Sequence, residues 1–325
     1  MASLNNYSPA YPLVAAQPGI WIADSIAQQR NQFTVAHYSV LHGDINRAAL
    51  DSAIQQAMAE ADTVQARFGL DEHGNPAQWF GAQAPVAPEW HDFSQRGDAS
   101  SHAQKLMQAD LAADLPADGD KPLYRHALMR IGDGSWLWYQ RYHHLLVDGF
   151  SFEALTQRVA AIYAALCAGE APAPSPFTPF TTVIEEIQQW QDSPAFARSA
   201  SHWQNYAADL PETLTLASEN VSDPGDRPIS CQVTLPQLTT LRQQHPLADS
   251  SEGDIVSALL VAYLARFSNS QRLSIGFPFM RRMGSAAIST LGPVVNVLPL
   301  IFSVSDEMTL PMLVQQVQGE IRKAR

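Results

Sequence analysis

The sequence has 325 residues, more than one ordinary domain, and this length predicts two compact lobes or one large domain. Hydrophobic residues make up 46% and charged residues 16%, which is typical of a globular protein and excludes a disordered or fibrous one. The formal net charge of -12 argues against nucleic acid or an acidic membrane surface as a partner, because phosphate groups are bound by clusters of Lys and Arg.

The cysteines and the N-terminus indicate a compartment. Cys167 and Cys231 are too far apart for a metal knuckle and too few for a disulfide framework, which favours a reducing environment. The first residues have no basic segment and no long apolar segment, so we expect no processed leader. No later stretch has the roughly 18 uncharged apolar residues that a membrane-spanning helix needs. We therefore expect a cytoplasmic protein.

The first part of the chain alternates helix and strand signals. A helix is predicted near Ala15–Ala27, a strand at Phe33–Leu41, and a second helix after Asp44, a residue type that favours the N-cap. Further on, the segments 123–131 and 136–142 have the pattern of two strands that flank a tight turn. These signals predict a mixed α and β protein.

The stretch RYHHLLVDGF lies between a predicted strand and a predicted helix. After Gly149, apolar residues recur at helical spacing and Gly169 is a plausible helix stop; the apolar residues are Leu155, Val159, Ile162 and Leu166. The histidines therefore lie at a strand-to-helix corner. Such corners often present side chains to a cleft, since the strand end is rigid and the turn is open.

The segment APAPSPFTPF, residues 171–180, is rich in proline, which interrupts helices and strands and favours an extended connector. We place a lobe boundary there, between lobes 1–172 and 173–325. The second lobe mixes helix and strand signals. The predicted helices are Thr182–Trp190, Ala195–Ala208 and Gly253–Phe267, and the predicted strands are Cys231–Leu235, Arg272–Phe279 and Val294–Val304.

The end of the sequence carries a helical apolar stripe that runs almost to the last residue; its members are Leu310, Leu313, Val314, Val317 and Ile321. The stripe has no capping residue and no tail, which predicts a chain cut inside a domain. The alternative is a C-terminal helix that frays.

The pair His143–His144 is a weak candidate for metal binding. Neighbouring residues on a strand point to opposite faces, so the two rings do not bind one ion easily, and His144 with Asp148 gives an incomplete ligand set. We therefore expect no metal. For most histidines here, His143 included, a satisfied core position is the plainer interpretation. His144 differs because Asp148 and Gly149 follow it, and glycine leaves room for a substrate near the backbone.

The HHxxxDG pattern resembles the core motif of the condensation domains of nonribosomal peptide synthetases, relatives of chloramphenicol acetyltransferase. Two earlier stretches are similar to other motifs of this family: AAQPGIW at 15–21 and ADTVQARF at 61–68. In the second, Gln65 stands where the family usually has Arg. Later, GFPFMRR places Arg282 where the family usually has an arginine that pairs with the motif aspartate. The stretch LGPVVNVLPL, which contains Asn296, resembles the family's segment beneath the active site.

The resemblance implies an α+β fold, a two-layer α/β sandwich. Two acetyltransferase-like lobes would form a V with the active site between them, and the second lobe, 173–325, would be incomplete. It also implies an acyltransferase that forms an amide bond. The catalytic motif would comprise His143, His144, Asp148 and Gly149. His144 would accept the amine proton or orient the amine, and Arg282 and Asn296 would give structural support. The substrate arms would enter a tunnel between the two lobes, and for Asn296, lining this tunnel and capping a strand are equally open.

The same resemblance implies partners and no bound cofactor. Phosphopantetheine arms would be delivered by an aryl carrier protein as donor and a peptidyl carrier domain as acceptor, with an adenylation domain downstream if the native chain continues. A narrower likeness to serine-activating siderophore synthetases implies a 2,3-dihydroxybenzoyl donor and a seryl acceptor. The alternative is a truncated, inactive module that docks carrier proteins without joining their cargo.

Overall fold

The computed structural model describes residues 9–81, 85–119, 121–214, 238–244, 247 and 249–324. The fold is α+β, as predicted. The chain divides into two compact units. One comprises Met1–Ser193 with Met280–Asn296, and the other comprises Pro194–Phe279 with Val297–Arg325.

The strands of the first unit form two sheets. One has the order β1 (Tyr11–Pro12), β4 (Pro76–Trp79), β3 (Arg67–Leu70), and the other has the order β2 (Thr34–His42), β7 (Ser135–His143), β6 (Tyr124–Gly132), β5 (Glu89–Asp92). All pairs are antiparallel except β5 with β6. The central strand β7 therefore lies between two neighbours, and its last residue is His143.

The helices of the first unit are α1 (Gln17–Ile26), α2 (Arg47–Glu60), α3 (Ala99–Ala112), α4 (Gly149–Cys167) and α5 (Phe180–Gln191). The predicted cap of α2, Asp44, is wrong by two residues: the side chain of Asn46 accepts the hydrogen bond from the Ala49 amide at 3.2 Å. Both residue types have a suitable oxygen, so composition alone does not choose between them. Helix α3 is absent from the predicted elements.

Two glycines at the predicted ends have the backbone conformation that their positions require. Gly134, in the turn between β6 and β7, has φ +61°, and Gly169, just after α4, has φ +73°. Residues with a Cβ rarely adopt these angles, so glycine fixes where the turn is made and where the helix ends. The predicted hairpin and the predicted helix are thereby confirmed.

The compact units do not follow the predicted boundary after residue 172. Residues 173–193 pack with the first unit, because α5 buries Phe180, Val183 and Ile184 in its core. Residues 280–296 also return to this unit. The prolines of the connector interrupt secondary structure as expected, but the residues that follow them pack into the core of the first unit.

The second unit contains α6 (Pro194–Ala208), α7 (Leu238–Gln244), α8 (Glu252–Ser268), α9 (Leu310–Ala324) and most of the strand pair β8 (Arg272–Met280) and β9 (Val295–Ser303). Met280, Val295 and Asn296, at the ends of these strands, are counted with the first unit. Its core contains Ile255, Val261, Leu300, Val314 and Val317. The predicted strand Cys231–Leu235 lies outside the described residues. Across the ranges given above, no helix is both long and apolar enough to span a bilayer.

Candidate active site

Residues 144–148 join β7 to α4, and this corner is tied to the sheet by its backbone. The amide of His143 donates to the Leu123 carbonyl at 2.8 Å, and the amide of His144 donates to the Phe33 carbonyl at 2.7 Å. The predicted strand-to-helix corner is therefore confirmed. Its position is fixed by main-chain bonds on both sides, which do not depend on side-chain identity.

Asp148 begins helix α4. Its carboxylate accepts from the backbone amide of Ser151 at 3.2 Å, and the Ser151 hydroxyl accepts from the Asp148 amide at 3.2 Å, so the two residues form a capping box. This reciprocal pair satisfies two amides that have no partner within a helix. The helix start, and with it the position of Gly149, is set by the motif aspartate.

The same carboxylate is bound by a buried arginine, 134 positions further along the chain. Nη2 of Arg282 donates to both oxygens of Asp148, at 2.8 and 2.7 Å, and also to the Gly292 carbonyl at 3.0 Å. Nη1 donates to the Thr290 carbonyl at 2.8 Å, and the Val294 amide adds a bond to Asp148 at 3.2 Å. Two buried charges are thus paired and surrounded by hydrogen bonds. The contact joins the motif to the loop after β8.

His143 lies inside the protein. Its side chain is 1% exposed, and its Nδ1 accepts from the Leu145 amide at 3.1 Å. Nε2 faces Oδ1 of Asp24 at 3.6 Å. Burial lowers the pKa of His143 to about 4, although the Asp24 carboxylate acts in the opposite direction. The ring is therefore neutral at neutral pH.

His144 is half-buried and oriented differently. Its Nδ1 lies 2.8 Å from the carbonyl oxygen of Val147. A carbonyl oxygen only accepts, so Nδ1 carries the proton, and the lone pair of the neutral ring is on Nε2. The corner therefore fixes both the orientation and the tautomer of this ring. A neutral imidazole held in this way has the chemistry of a general base.

The other two predicted residues differ in their surroundings. Gly149 is the first residue of α4 and is exposed, and a Cβ at this position meets no atom within 4 Å. Asn296 is the second residue of β9, and its side chain is exposed. Gly149 thus adjoins the histidine corner, whereas Asn296 belongs to the separate two-stranded sheet.

Sequence reasoning missed two residues that hold this corner. Gln17 donates through Nε2 to the Leu145 carbonyl at 3.1 Å, and Asp24 faces His143. Both are 1% exposed. With Trp21, they form the buried face of α1 at i, i+4 and i+7. This polar spacing in a short apolar helix was the available signal.

Gln65, which departs from the family pattern, also has a defined place. Its Nε2 donates to the carbonyls of Met58 and Ala59, both at 3.2 Å. These carbonyls lie in the last turn of α2, where helix carbonyls have no partner within the helix. An amide side chain fills this role without a charge.

The described residues contain no group of three or more His, Cys, Asp or Glu side chains placed to hold a metal ion. Two side chains at the corner that could act as metal ligands already bind other groups: the Asp148 carboxylate binds Arg282, and Nδ1 of His144 binds a backbone carbonyl.

Comparison with known proteins identifies relatives over almost the whole chain. Residues 7–325 match the model of a family described as "Condensation domain". Enterobactin synthase component F of Escherichia coli O157:H7 is 41% identical over 97% of this chain, and vanchrobactin synthetase VabF of Vibrio anguillarum is 32% identical over 97%. The chain spans 24% and 11% of the lengths of these proteins.

Solved structures are similar as well. The starter condensation domain of rhizomide synthetase RzmA, a mutant in complex with C8-CoA, has a TM-score of 0.82 and 30% identity, over 97% of this chain and 71% of that one. The first condensation domain of the calcium-dependent antibiotic synthetase has a TM-score of 0.83 at 24% identity, over 97% of this chain and 74% of that one. The second likeness bears on the fold alone.

Proposed function

Because the chain belongs to the condensation-domain family, whose members are enzymes that form amide bonds by acyl transfer, we propose that it joins two carrier-bound substrates in a nonribosomal peptide synthetase. The observation that carries the proposal is the hydrogen bond from Nδ1 of His144 to the Val147 carbonyl. This bond keeps the ring proton on Nδ1, so the basic atom of the corner is Nε2. The synthetases that this chain resembles are several times longer than it is, and their other activities are not assigned to this chain.

In the proposed reaction, the amine of the acceptor aminoacyl group attacks the thioester carbonyl of the donor acyl group. A carbon–nitrogen bond forms, the carbon–sulfur bond breaks, and the donor arm leaves as a thiol. Nε2 of His144 takes the amine proton as the tetrahedral intermediate forms, or orients that amine. The phosphopantetheine arms belong to the carrier proteins, so they are part of the substrates and not a cofactor of this chain.

The expected contribution of His144 follows from simple magnitudes. An α-amine with a pKa near 8 is about one-tenth neutral at pH 7, so its deprotonation costs only about 1.4 kcal/mol. Positioning two tethered reactants removes about 7–11 kcal/mol of a barrier, whereas a general base contributes about 10²–10⁴-fold. Most of the acceleration therefore comes from positioning, and the histidine supplies a smaller part.

The substrates are proposed from the relatives. The 41% identity to enterobactin synthase component F and the 32% identity to vanchrobactin synthetase favour siderophore assembly. On this basis the donor is a 2,3-dihydroxybenzoyl group on an aryl carrier protein, and the acceptor is a seryl group on a peptidyl carrier domain. Assembly on carrier proteins also favours the cytoplasm as the compartment.

The remaining motif residues have supporting roles in this proposal. Asp148 and Arg282 hold the corner and the start of α4, and His143 packs behind it. Gly149 leaves space beside the reacting groups. Asn296 is the least supported residue, since its exposed position on β9 is compatible with either a substrate contact or a purely structural role.

The test is transfer of the aryl group between carriers. An aryl carrier and a seryl carrier, loaded separately, are mixed with the chain, and intact-mass analysis follows the aryl group. Wild type should transfer it, and His144→Ala should slow transfer by about 10²–10⁴-fold. His73→Ala is the matched control, since this histidine side chain is 74% exposed.

Two outcomes would contradict the proposal. Equal rates for wild type and a folded His144→Ala chain would remove His144 from the reaction. Binding of the carriers without transfer, by a folded wild-type chain, would replace the condensation activity by carrier docking alone.

A further inference from the structure

His143 and His144 use the same ring atom in opposite ways. Nδ1 of His143 accepts a hydrogen bond from the Leu145 amide at 3.1 Å, whereas Nδ1 of His144 donates to the Val147 carbonyl at 2.8 Å. A neutral imidazole has one proton. The proton of His143 is therefore on Nε2, and the proton of His144 is on Nδ1. Two neighbouring histidines are held as opposite tautomers.

The Nε2 proton of His143 is directed at a buried carboxylate. Oδ1 of Asp24 lies 3.6 Å from Nε2, and both side chains are 1% exposed. Neither of these two atoms has a hydrogen-bond partner in the described part of the chain, and at 3.6 Å their contact with each other is electrostatic. The other oxygen, Oδ2, accepts from Nη2 of Arg30 at 2.7 Å and from the Ala117 amide at 3.2 Å.

We propose that Asp24 is a positioning residue for the histidine corner: its carboxylate holds the proton of His143 on Nε2, which keeps Nδ1 as the acceptor for the Leu145 amide and so fixes the turn that orients His144. Asp24 does not touch substrate in this scheme. Its influence passes through His143 and the backbone of residues 145–147. The kinetic part of the inference rests on the proposed condensation activity, but the tautomers do not.

The donor set around Asp24 explains why a carboxylate is needed. Three donors converge on it: the Arg30 guanidinium, the Ala117 amide and the Nε2–H of His143. A carboxylate accepts on two oxygens, whereas an amide has one acceptor and presents an NH2 group on the other side. In Asp24→Asn, the charged Arg30 takes the remaining oxygen, and the NH2 group then faces Nε2–H.

Loss of the Nε2 partner acts on the turn. If the proton of His143 moves to Nδ1, two N–H donors face each other, one on Nδ1 and one on the Leu145 amide, and neither finds an acceptor. The Leu145 amide then loses its bond, although the Leu145 carbonyl keeps its bond from Gln17. The turn thereby loses one of its hydrogen bonds, two residues before the Val147 carbonyl that orients His144, while the Leu146 amide keeps its bond to the His143 carbonyl.

The first experiment is long-range 1H–15N NMR of chains labelled at histidine, at neutral pH, with the His143 signals assigned from His143→Asn. Wild type should show His143 protonated on Nε2 and His144 protonated on Nδ1. Asp24→Asn should abolish the Nε2-protonated form of His143 as the dominant state. Asp118→Asn is the matched control, because Asp118 also binds Arg30, at 3.0 Å, but is 53% exposed.

The second experiment measures transfer between loaded carriers. Asp24→Asn should lower kcat by about tenfold, the size of one lost hydrogen bond, with unchanged KM for both carriers. Asp118→Asn should change neither. In His143→Asn, the new Oδ1 accepts from the Leu145 amide without help, so adding Asp24→Asn to this variant should cause no further loss.

The two experiments separate this inference from the proposed function. A His143 ring protonated on Nδ1 in wild type, or an unchanged tautomer in Asp24→Asn, would overturn the role of Asp24. Correct tautomers in a folded chain without transfer would leave Asp24 as the residue that fixes the corner and would overturn the condensation activity. Should Asp24→Asn not fold, Asp24→Ser, which also lacks the second oxygen, takes its place.

Discussion

The corner between β7 and α4 has a buried side and an open side. On the buried side, His143, Asp148 and Arg282 are at most 5% exposed; Asp148 and Arg282 bind each other across 134 positions of the chain, and the His143 ring accepts from the Leu145 amide. On the open side, His144 is half-buried, and a methyl group added to Gly149 would have open space around it. Rigidity is thus concentrated in residues that do not react, and one ring nitrogen is left available.

The largest effect is expected on the buried side. Arg282→Met removes the partner of the Asp148 carboxylate and leaves a buried charge without compensation, which should lower the free energy of unfolding by about 3–5 kcal/mol. Urea titration measures this loss. Arg281→Met is the matched control, because Arg281 is the exposed neighbour and loses only its contact over the Trp190 ring at 4.9 Å, which should cost at most about 1 kcal/mol. Equal losses in both variants would contradict the role of the buried pair.

The second prediction concerns pH. Burial lowers the pKa of His143 from 6.5 to about 4, so the unfolded chain binds its proton first as the pH falls. Stability is full above about pH 6.5, decreases below it, and the loss from this group is complete near pH 4. His143→Asn should remove up to about 3 kcal/mol of this pH dependence.

The measurement is urea unfolding at about pH 7 and at about pH 4.5 for each chain, two values that span most of the range over which this stability is lost. His126 also contributes in wild type, because burial lowers its pKa to about 3. The control is His73→Asn, a change at a side chain that is 74% exposed, which should leave the slope unaltered. If His143→Asn keeps the full wild-type slope, the buried ring is not the source of the loss.

The third prediction compares two glycines, starting with the buried one. Gly292 has φ +129°, and a Cβ there would lie 2.6 Å from Cε2 of Phe180 and 2.9 Å from the Thr63 methyl. Gly292→Ala should therefore lower stability by roughly 1–3 kcal/mol, with a further loss from the disfavoured backbone angle. A thermal melt that matches wild type would show that the loop yields without strain.

The smallest structural effect is expected at Gly149. Alanine fits the open space at the start of α4 and should raise the free energy of unfolding by about 0.4–1 kcal/mol. Transfer between carriers should nevertheless fall by about 10²-fold, because in the proposed reaction the reacting groups use the space next to Gly149, where an added Cβ meets no protein atom within 4 Å. Unchanged transfer in the stabilised chain would show that this space is not used by the substrates.

Much of the fold was predictable from local patterns. The strand β7, the helix α4, the turn at Gly134 and the helix stop at Gly169 all carry signals within a few residues of sequence. The same holds for the order HHLLVDG at the corner. Where the pattern was weak the prediction failed: α3 is rich in Ala, Ser and Gln, which give no clear apolar face.

The site was predictable only in part, because its contacts are long-range. The pairing of Asp148 with Arg282 followed from a family resemblance, and no local pattern indicates it. No sequence pattern indicates how the two side chains meet. Nη2 of Arg282 binds both oxygens of Asp148, and Nη1 of Arg282 binds a backbone carbonyl. Gln17 and Asp24 reach the corner from more than a hundred residues away, and only their helical spacing marks them.

The contact between Asp148 and Arg282 also bears on the order of folding. During synthesis, the corner is made 134 residues before its arginine. At about 5–20 residues per second, that interval is on the order of ten seconds. Throughout it, a carboxylate destined for the interior has no cationic partner, so the first unit completes its folding only after a large part of the second unit has been synthesised.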